Sequence, residues 1–89
     1  MLIVLIARDK PGALKTRLDN REAHLAYIEK TGVVTQAGPL LDAQGAMIGS
    51  LIVLDVSDLS SAEDWAANDP YNHAGLFESV EMIPWKKVI

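Results

Sequence analysis

Two histidines are the candidate acid–base residues of this sequence, because histidine is the side chain whose ordinary pKa lies closest to neutral pH. Arg17 and Arg21 precede His24 by two turns and one turn of a predicted helix, on the same flank. There, the two guanidinium groups would lower the proton affinity of the imidazole and attract an anionic ligand. The alternative is a surface histidine on a basic helix flank. No such neighbours accompany His73, which we expect at the surface.

Asp69 is the second candidate, because it continues an apolar helical stripe that includes Ala62 and Trp65, where an acid is unexpected. In one interpretation, its carboxylate caps the short turn that begins at Pro70. In the other, it faces the first helix and orients His24, which fixes the imidazole tautomer and makes the free ring nitrogen a better base. A carboxylate has two oxygens, so the two interpretations are compatible.

The remaining polar residues give weaker signals. Tyr71 either packs over a cleft or fills the seam between helix and sheet. Ser50 is either a ligand-binding hydroxyl at a strand end or an ordinary hairpin serine, and no nearby base makes it a nucleophile. The segment Gly45-x-x-x-Gly49 lacks the lysine of a phosphate loop, and no pair of histidines has metal-ligand spacing. We therefore expect neither a metal nor a nucleotide cofactor.

Composition limits the class of protein. The sequence has 89 residues, is 49% hydrophobic, contains no cysteine and carries a net charge of −4, which is typical of a single domain spanning residues 1–89. Without cysteine there is no disulfide or thiolate site, and we expect a cytoplasmic location. The acidic balance argues against nucleic acid or an anionic membrane as the main partner. No run of residues is long enough to span a membrane, and Leu2–Ala7 predicts a strand rather than a signal peptide.

The hydrophobic pattern predicts six elements in the order strand, helix, strand, strand, helix, strand. The strands are Leu2–Arg8, Val33–Leu41, Ala46–Val56 and Glu78–Val88, and the helices run from about Thr16 to Thr31 and from Ser60 to Asp69. The first and third strands are continuously apolar, which predicts central positions, whereas Pro39 and Pro84 favour edge positions for the other two. This order is that of a ferredoxin-like α+β sandwich, with a four-stranded antiparallel sheet and two helices on one face.

Helical spacing also predicts which side of each helix packs on the sheet. The expected core face of the first helix consists of four apolar residues: Leu14, Leu18, Leu25 and Ile28. His24 lies at the border of this face, where we expect it to be half-buried. For the second helix, Ser60 followed by Glu63 forms a capping-box pattern that predicts its first turn.

Two helices cover only one face of a four-stranded sheet, yet both faces of the first strand are apolar. Its alternating residues are Leu2, Val4 and Ile6 on one side and Ile3, Leu5 and Ala7 on the other. A large apolar face is not tolerated on a monomer, so the sequence predicts a homodimer that packs sheet to sheet. The alternative is that the long connections, residues 9–16 and 69–77, fold over this face.

Taken in order, several short motifs resemble the YciI-like, or YCII-related, family over essentially the whole chain. They are Arg17-Leu18-x-x-Arg21-x-x-His24-Leu25, Ala37-Gly38-Pro39, Gly49-Ser50, Asp69-Pro70-Tyr71 with Ala74-Gly75, and Pro84-x-Lys86-Lys87-Val88. The resemblance implies a ferredoxin-like fold, a dimer of the dimeric α+β barrel type and a site built on a histidine–aspartate pair. In this sequence, the pair falls on His24 and Asp69.

The resemblance further implies a small enzyme without a cofactor, of the lyase or isomerase type. A dehydrochlorinase of chlorinated hydroxyquinols and, in the wider superfamily, muconolactone isomerase suggest proton transfer or elimination on a small, anionic, oxygenated ring compound. His24 would be the base or acid, Asp69 would orient it, and Arg17 or Arg21 would neutralise a substrate oxygen. The predicted pocket is completed by Gly38, Pro39, Ser50 and Tyr71. The alternative is a dimer that binds a small molecule or another protein without catalysis.

Overall fold

The computed structural model describes all residues from 1 to 89 and contains four strands and three helices. They are β1 (Leu2–Asp9), α1 (Leu14–Thr31), β2 (Val34–Leu41), β3 (Met47–Asp55), α2 (Leu59–Ala67), α3 (Pro70–His73) and β4 (Phe77–Trp85). The strands form one antiparallel sheet in the order β2-β3-β1-β4. The predicted ferredoxin-like arrangement is confirmed, and α3 is a single turn within the last connection.

Both prolines of the sheet lie on edge strands, as predicted. Pro39 of β2 pairs with Ser50, and Pro84 of β4 pairs with Ile3. Proline has no N–H for a second neighbour, so an edge strand tolerates it whereas a central strand would lose a ladder bond. β4 ends at Trp85, three residues earlier than predicted, and Lys86 and Lys87 are exposed beyond it.

The core lies on one face of the sheet, beneath the helices. Alternate residues of β1 point to this face, and the register places Ile3 opposite Leu54 and Leu5 opposite Ile52. The buried cluster consists of Ile3, Leu5, Ala7, Ile52, Leu54, Ala62 and Trp65. On the opposite face, Leu2, Val4 and Ile6 are only half-buried, so neither long connection covers it fully.

The predicted core face of α1 is wrong. Three of its four residues are exposed by 44%, 52% and 44%: Leu14, Leu18 and Leu25. The buried residues of α1 are instead Arg17 and His24, and His24 is 5% exposed rather than half-buried. The helix turns these polar side chains inward because acidic partners, Asp9 and Asp69, lie on that side. Burying a polar group costs little free energy of folding when the protein supplies its hydrogen bonds.

The predicted N-cap of α2, Ser60, is also wrong, by two residues. The N-cap is Asp58, whose carboxylate accepts a hydrogen bond of 2.8 Å from the Ser61 backbone N–H. This bond holds the pKa of Asp58 below its ordinary value. Ser60 therefore lies within the first turn and makes no capping box with Glu63. None of the three helices combines the length and the apolar composition needed to cross a membrane.

Candidate active site

His24 and Asp69 lie next to each other in the structure. α1 supplies the imidazole, the residue before α3 supplies the carboxylate, and His24 Nδ1 lies 2.8 Å from Asp69 Oδ1. Both side chains are buried. An ionised carboxylate only accepts hydrogen bonds, so Nδ1 carries the proton, and in the neutral imidazole Nε2 keeps the lone pair. The geometry is that of an imidazole oriented for acid–base chemistry.

Asp69 is also the N-cap of α3. Its Oδ1 accepts a hydrogen bond of 2.9 Å from the Tyr71 backbone N–H, and Pro70 occupies the first helical position. Proline suits this position because its missing N–H would have no intrahelical partner. Asp69 therefore both caps α3 and contacts His24. The same oxygen, Oδ1, makes the two contacts, rather than one oxygen each. The cap holds the carboxylate in place for His24.

Tyr71 fixes the other side of the imidazole. The rings of His24 and Tyr71 stack with centroids 3.9 Å apart and an interplanar angle of 14°. Phe77 meets Tyr71 edge-on at 6.0 Å, so the tyrosine lies both at the site and in the seam between helix and sheet. Burial raises the pKa of Tyr71, and the positive charges of Arg17 and Arg21 offset only part of this effect. The phenol therefore stays neutral near neutral pH.

Arg17 is engaged by groups within the chain. Its Nε and Nη2 donate to the two carboxylate oxygens of Asp9 at 2.7 and 2.9 Å, and Nη2 also donates to Ser50 Oγ at 2.9 Å. Burial lowers the pKa of Arg17, but the hydrogen bond and charge of Asp9, together with smaller contributions from Tyr71, outweigh burial and raise it overall. The sequence analysis missed Asp9 as a site residue. The one feature of the sequence that could have identified Asp9 is its position as an acidic residue at the end of an apolar strand.

Arg21, one turn further along α1, is the unpaired cation of the site. It is exposed and takes part in none of the salt bridges of the structure. Its guanidinium charge is therefore available to an anionic ligand, whereas that of Arg17 is balanced by Asp9. The two arginines that the sequence presents as equivalent differ in what they contact.

A cavity of about 160 Å³ lies between α1 and the edge strand β2. It is lined by all the predicted site residues except Asp69, which lies behind His24: Arg17, Arg21, His24, Gly38, Pro39, Ser50 and Tyr71. The rest of its wall is mainly apolar and includes Leu25, Ile28 and Met47. An apolar cavity of roughly 150 Å³ holds one benzene-sized ring. The site therefore has room for a single small ring compound.

One polar atom is open to this cavity. His24 Nε2 has no hydrogen-bond partner in the chain, and no buried side-chain nitrogen or oxygen lacks one. This atom therefore keeps contact with solvent through the cavity that His24 lines. The other histidine, His73, is exposed at the end of α3, as predicted. No group of three or more potential ligands is arranged to hold a metal ion.

Sequence comparisons identify relatives along the full chain. The YCII-related domain family matches residues 1–86. Protein YciI of Escherichia coli is 37% identical over 97 aligned positions, which cover 99% of this chain and 99% of that protein. An uncharacterized protein of Haemophilus influenzae is 35% identical with the same coverage.

Solved structures show the same relationship. The 5-chloro-2-hydroxyhydroquinone dehydrochlorinase of Burkholderia phenoliruptrix, in complex with 2,5-dihydroxybenzoquinone, has a TM-score of 0.89 and 34% identity, and the match covers 97% of this chain and 94% of that one. An antibiotic biosynthesis monooxygenase shares the fold at a TM-score of 0.57 and 13% identity, with full coverage of both chains. These matches, together with the motifs that carry His24 and Asp69, establish that the chain belongs to the YCII-related family.

Proposed function

We propose that this protein is a small enzyme that uses no cofactor and transfers a proton on a small, anionic, oxygenated ring compound, as a lyase or an isomerase. The observation that carries the proposal is the buried imidazole–carboxylate pair at the wall of a cavity sized for one ring. The 34% identical dehydrochlorinase, solved with a dihydroxybenzoquinone, supports this substrate class.

In the proposed mechanism, His24 Nε2 accepts a proton from the ring compound. The resulting imidazolium keeps its Nδ1–H bond to Asp69 Oδ1, and the carboxylate stabilises the new positive charge. For an elimination of hydrogen chloride from a chlorinated hydroquinol, one hydroxyl proton first moves to the chlorinated carbon and gives a keto tautomer. A second hydroxyl then loses its proton to His24 as chloride leaves with the electron pair of the C–Cl bond, and the ring becomes a quinone. The stacked Tyr71 ring keeps the imidazole in this orientation throughout.

Arg21 is the proposed contact for an ionised ring oxygen, because it is the cation of the cavity without an acidic partner. Arg17 has a different role in this proposal. Its guanidinium holds the Ser50 hydroxyl at the cavity wall and is itself held by Asp9. Gly38 and Pro39 of β2 form the opposite wall of the cavity.

A substrate screen tests the proposal. 2,5-Dihydroxybenzoquinone serves as the binding probe, and 5-chloro-2-hydroxyhydroquinone, with chloride release as the readout, begins the panel of ring compounds. We expect His24→Gln and Asp69→Asn to lower turnover at least about 100-fold, which is the usual scale of acid–base catalysis. The matched control is His73→Gln, which alters the exposed histidine and should leave turnover unchanged.

Full turnover in His24→Gln would reject the mechanism. Tight binding of the quinone, with no turnover of any compound in the panel by the wild-type protein, would instead favour the alternative of a binding module. The unpaired Arg21 and the apolar cavity wall would serve that role equally well.

The proposed assembly is a homodimer through the uncovered sheet face. Ile83 pairs with Val4 on that face and is 47% exposed, and Trp85 pairs with Leu2 and is 42% exposed. Burying these side chains against a second copy would remove a contiguous apolar patch from water. Sedimentation velocity should show a dimer for the wild type and a monomer for Ile83→Lys. A wild-type monomer at micromolar concentration would overturn this proposal.

A further inference from the structure

A second cavity, of about 270 Å³, lies between α2 and the edge strand β4 and shares no lining residue with the first. Its β4 side chains include Val80 and Met82, whose strand partners Ala7 and Leu5 belong to the buried core. The cavity therefore lies on the helix-covered face of the sheet, away from the proposed dimer interface. Since a cavity of roughly 150 Å³ holds a benzene ring, this one has room for a ring that carries a short chain.

One oxygen of Asp69 faces this cavity without a partner in the chain. Oδ1 accepts both side-chain hydrogen bonds of the residue, from His24 Nδ1 and from the Tyr71 backbone N–H. Oδ2 accepts none, although Asp69 is only 1% exposed. Because no fully buried side-chain oxygen lacks a partner, Oδ2 must contact solvent, and the second cavity is the one that Asp69 lines.

The negative charge of Asp69 is not balanced while His24 is neutral. The two groups that donate to its carboxylate are then an uncharged imidazole and a peptide N–H. The Asp9 carboxylate, by contrast, pairs with the Arg17 guanidinium. A buried charge without a charged partner costs free energy, and a cation bound at Asp69 Oδ2 would recover part of that cost.

The other polar groups of the cavity wall are also hydrogen-bond acceptors. Glu63 supplies an exposed carboxylate at the rim. Asn72 uses its Nδ2 to donate to the Ala67 carbonyl, which leaves Asn72 Oδ1 free. No side chain that lines the cavity is basic. An ammonium group has three N–H donors, so Asp69 Oδ2, Glu63 and Asn72 Oδ1 offer one acceptor for each.

We propose that the second cavity binds a small primary amine as its ammonium ion, with an apolar body of about one ring. The ammonium donates to Asp69 Oδ2 and to Glu63 at the rim, and the body packs on the apolar side chains of β4. The bound charge lies next to the carboxylate that holds His24, so it opposes formation of the imidazolium in the proposed mechanism. The cavity is therefore an inhibitory site. Inhibition rests on the proposed function, whereas binding does not.

Titration of 2-phenylethylamine, an ammonium ion at neutral pH, tests the site by NMR without a substrate. The amide signals of Ala66 and Ala67, which line the cavity, should shift saturably. The nitrogen signal of His24 Nδ1 should change with the same dissociation constant, because Asp69 contacts both the imidazole and the ligand. The neutral isostere 2-phenylethanol should bind at least about tenfold more weakly, since a hydrogen bond between charged groups is the stronger one.

Three variants locate the bound amine. Val80→Phe fills the cavity from an exposed position and should weaken binding by about tenfold or more. Glu63→Gln removes the carboxylate at the rim and should weaken binding about threefold. The matched control is Asp64→Asn, which removes an equal charge from the next residue of α2, outside the cavity wall. It should change the affinity by less than about 1.5-fold, because salt screens an exposed charge that makes no contact.

Equal affinity for the amine and the alcohol, shifts centred on the first cavity, or unchanged affinity in Val80→Phe would overturn the site. A His24 Nδ1 signal that stays constant at saturation would do the same, because the ammonium would then lie away from Asp69. Once a substrate is in hand, the amine should lower kcat without raising KM. The proposals can fail separately. Binding without inhibition refutes only the inhibitory role, whereas binding to a protein without turnover supports the site and refutes the proposed enzyme.

Discussion

The two long helices lie on the same face of the sheet but bury opposite kinds of side chain. α2 buries Ala62 and Trp65, which join the apolar core. α1 buries Arg17 and His24, each of which is paired with an acid from another segment. One half of the sandwich thus resembles an ordinary core, and the other half is a hydrogen-bonded network next to a cavity. The difference shows that burial alone does not distinguish core residues from site residues.

The same difference explains where the cavity lies. Leu25 and Ile28 of α1 line the space over β2 but do not fill it, because Leu25 is turned partly outward. Ala37, Gly38 and Pro39 on that strand are small or flat. Beneath α2, by contrast, the Trp65 indole fills the space and donates a hydrogen bond of 2.9 Å to Thr31 Oγ1. The cavity beside His24 therefore lies where the packing is polar and incomplete.

Removing the anchor of the apolar half should have the largest effect. Trp65→Ala deletes a buried indole and its bond to Thr31, so we expect a loss of about 4 kcal/mol in the free energy of unfolding. Total stabilities of domains are only about 5–15 kcal/mol, so the variant should be close to unfolding. Urea denaturation followed by circular dichroism measures the loss. A loss below about 1 kcal/mol would contradict the assignment of the core to α2.

In the polar half, breaking the buried ion pair should cost somewhat less. Arg17→Met leaves the Asp9 carboxylate buried without its partner, and we expect a loss of about 3 kcal/mol. The double variant Arg17→Met with Asp9→Leu should recover most of this loss, because two apolar groups replace the pair. A double-mutant cycle in urea gives the coupling energy. Losses that simply add would show that the two residues do not depend on each other.

A smaller effect should appear only at alkaline pH. The pKa values of Tyr71 and Tyr27 are raised above 10.0 in the folded protein, chiefly by burial. The folded state therefore holds both phenolic protons more tightly than the unfolded state. This contribution to stability is complete below the ordinary pKa and disappears as pH rises through the folded values. The free energy of unfolding should fall in that range, and Tyr71→Phe should weaken the fall.

Ultraviolet absorbance of tyrosinate gives a direct check on the same residue. Arg21→Gln removes a positive charge that lowers the pKa of Tyr71, so this pKa should rise further in the variant. The exposed Lys15 offers a matched control, because it pairs with Asp19 and contributes nothing to the pKa of Tyr71. A Tyr71 pKa that is lower in Arg21→Gln, or that changes equally in Lys15→Gln, would contradict the site geometry.

The smallest effect should come from the outward face of α1. Leu18 is 52% exposed, so Leu18→Gln should change the free energy of unfolding by less than about 0.5 kcal/mol. Ile28→Gln, one of the same predicted set but half-buried against the core, should destabilise the protein more. A loss of about 2 kcal/mol or more in Leu18→Gln would mean that this face is covered in the folded protein.

Much of the sheet could be predicted from local pattern alone. The apolar runs of β1 and β3 predict central strands, and Pro39 and Pro84 predict edges, because a missing N–H has the same consequence in any fold. From residue types and spacing, contact between His24 and Asp69 is only one of two interpretations of Asp69. The family resemblance predicts the contact directly. Their separation of 45 positions carries no local signal of contact.

The sequence by itself determined where helices and strands form, since periodicity and turn residues act over a few neighbouring positions. The tertiary structure decided which side of α1 faces inward. Helical spacing identifies the most hydrophobic face of α1, which is the face of the leucines. It contains no information about hydrogen bonds to residues of other elements, here Asp9 at the end of β1 and Asp69 at the start of α3. Once Asp9 and Asp69 are in place, Arg17 and His24 can be buried beside acidic partners, and their burial leaves the leucines at the surface and the cavity open.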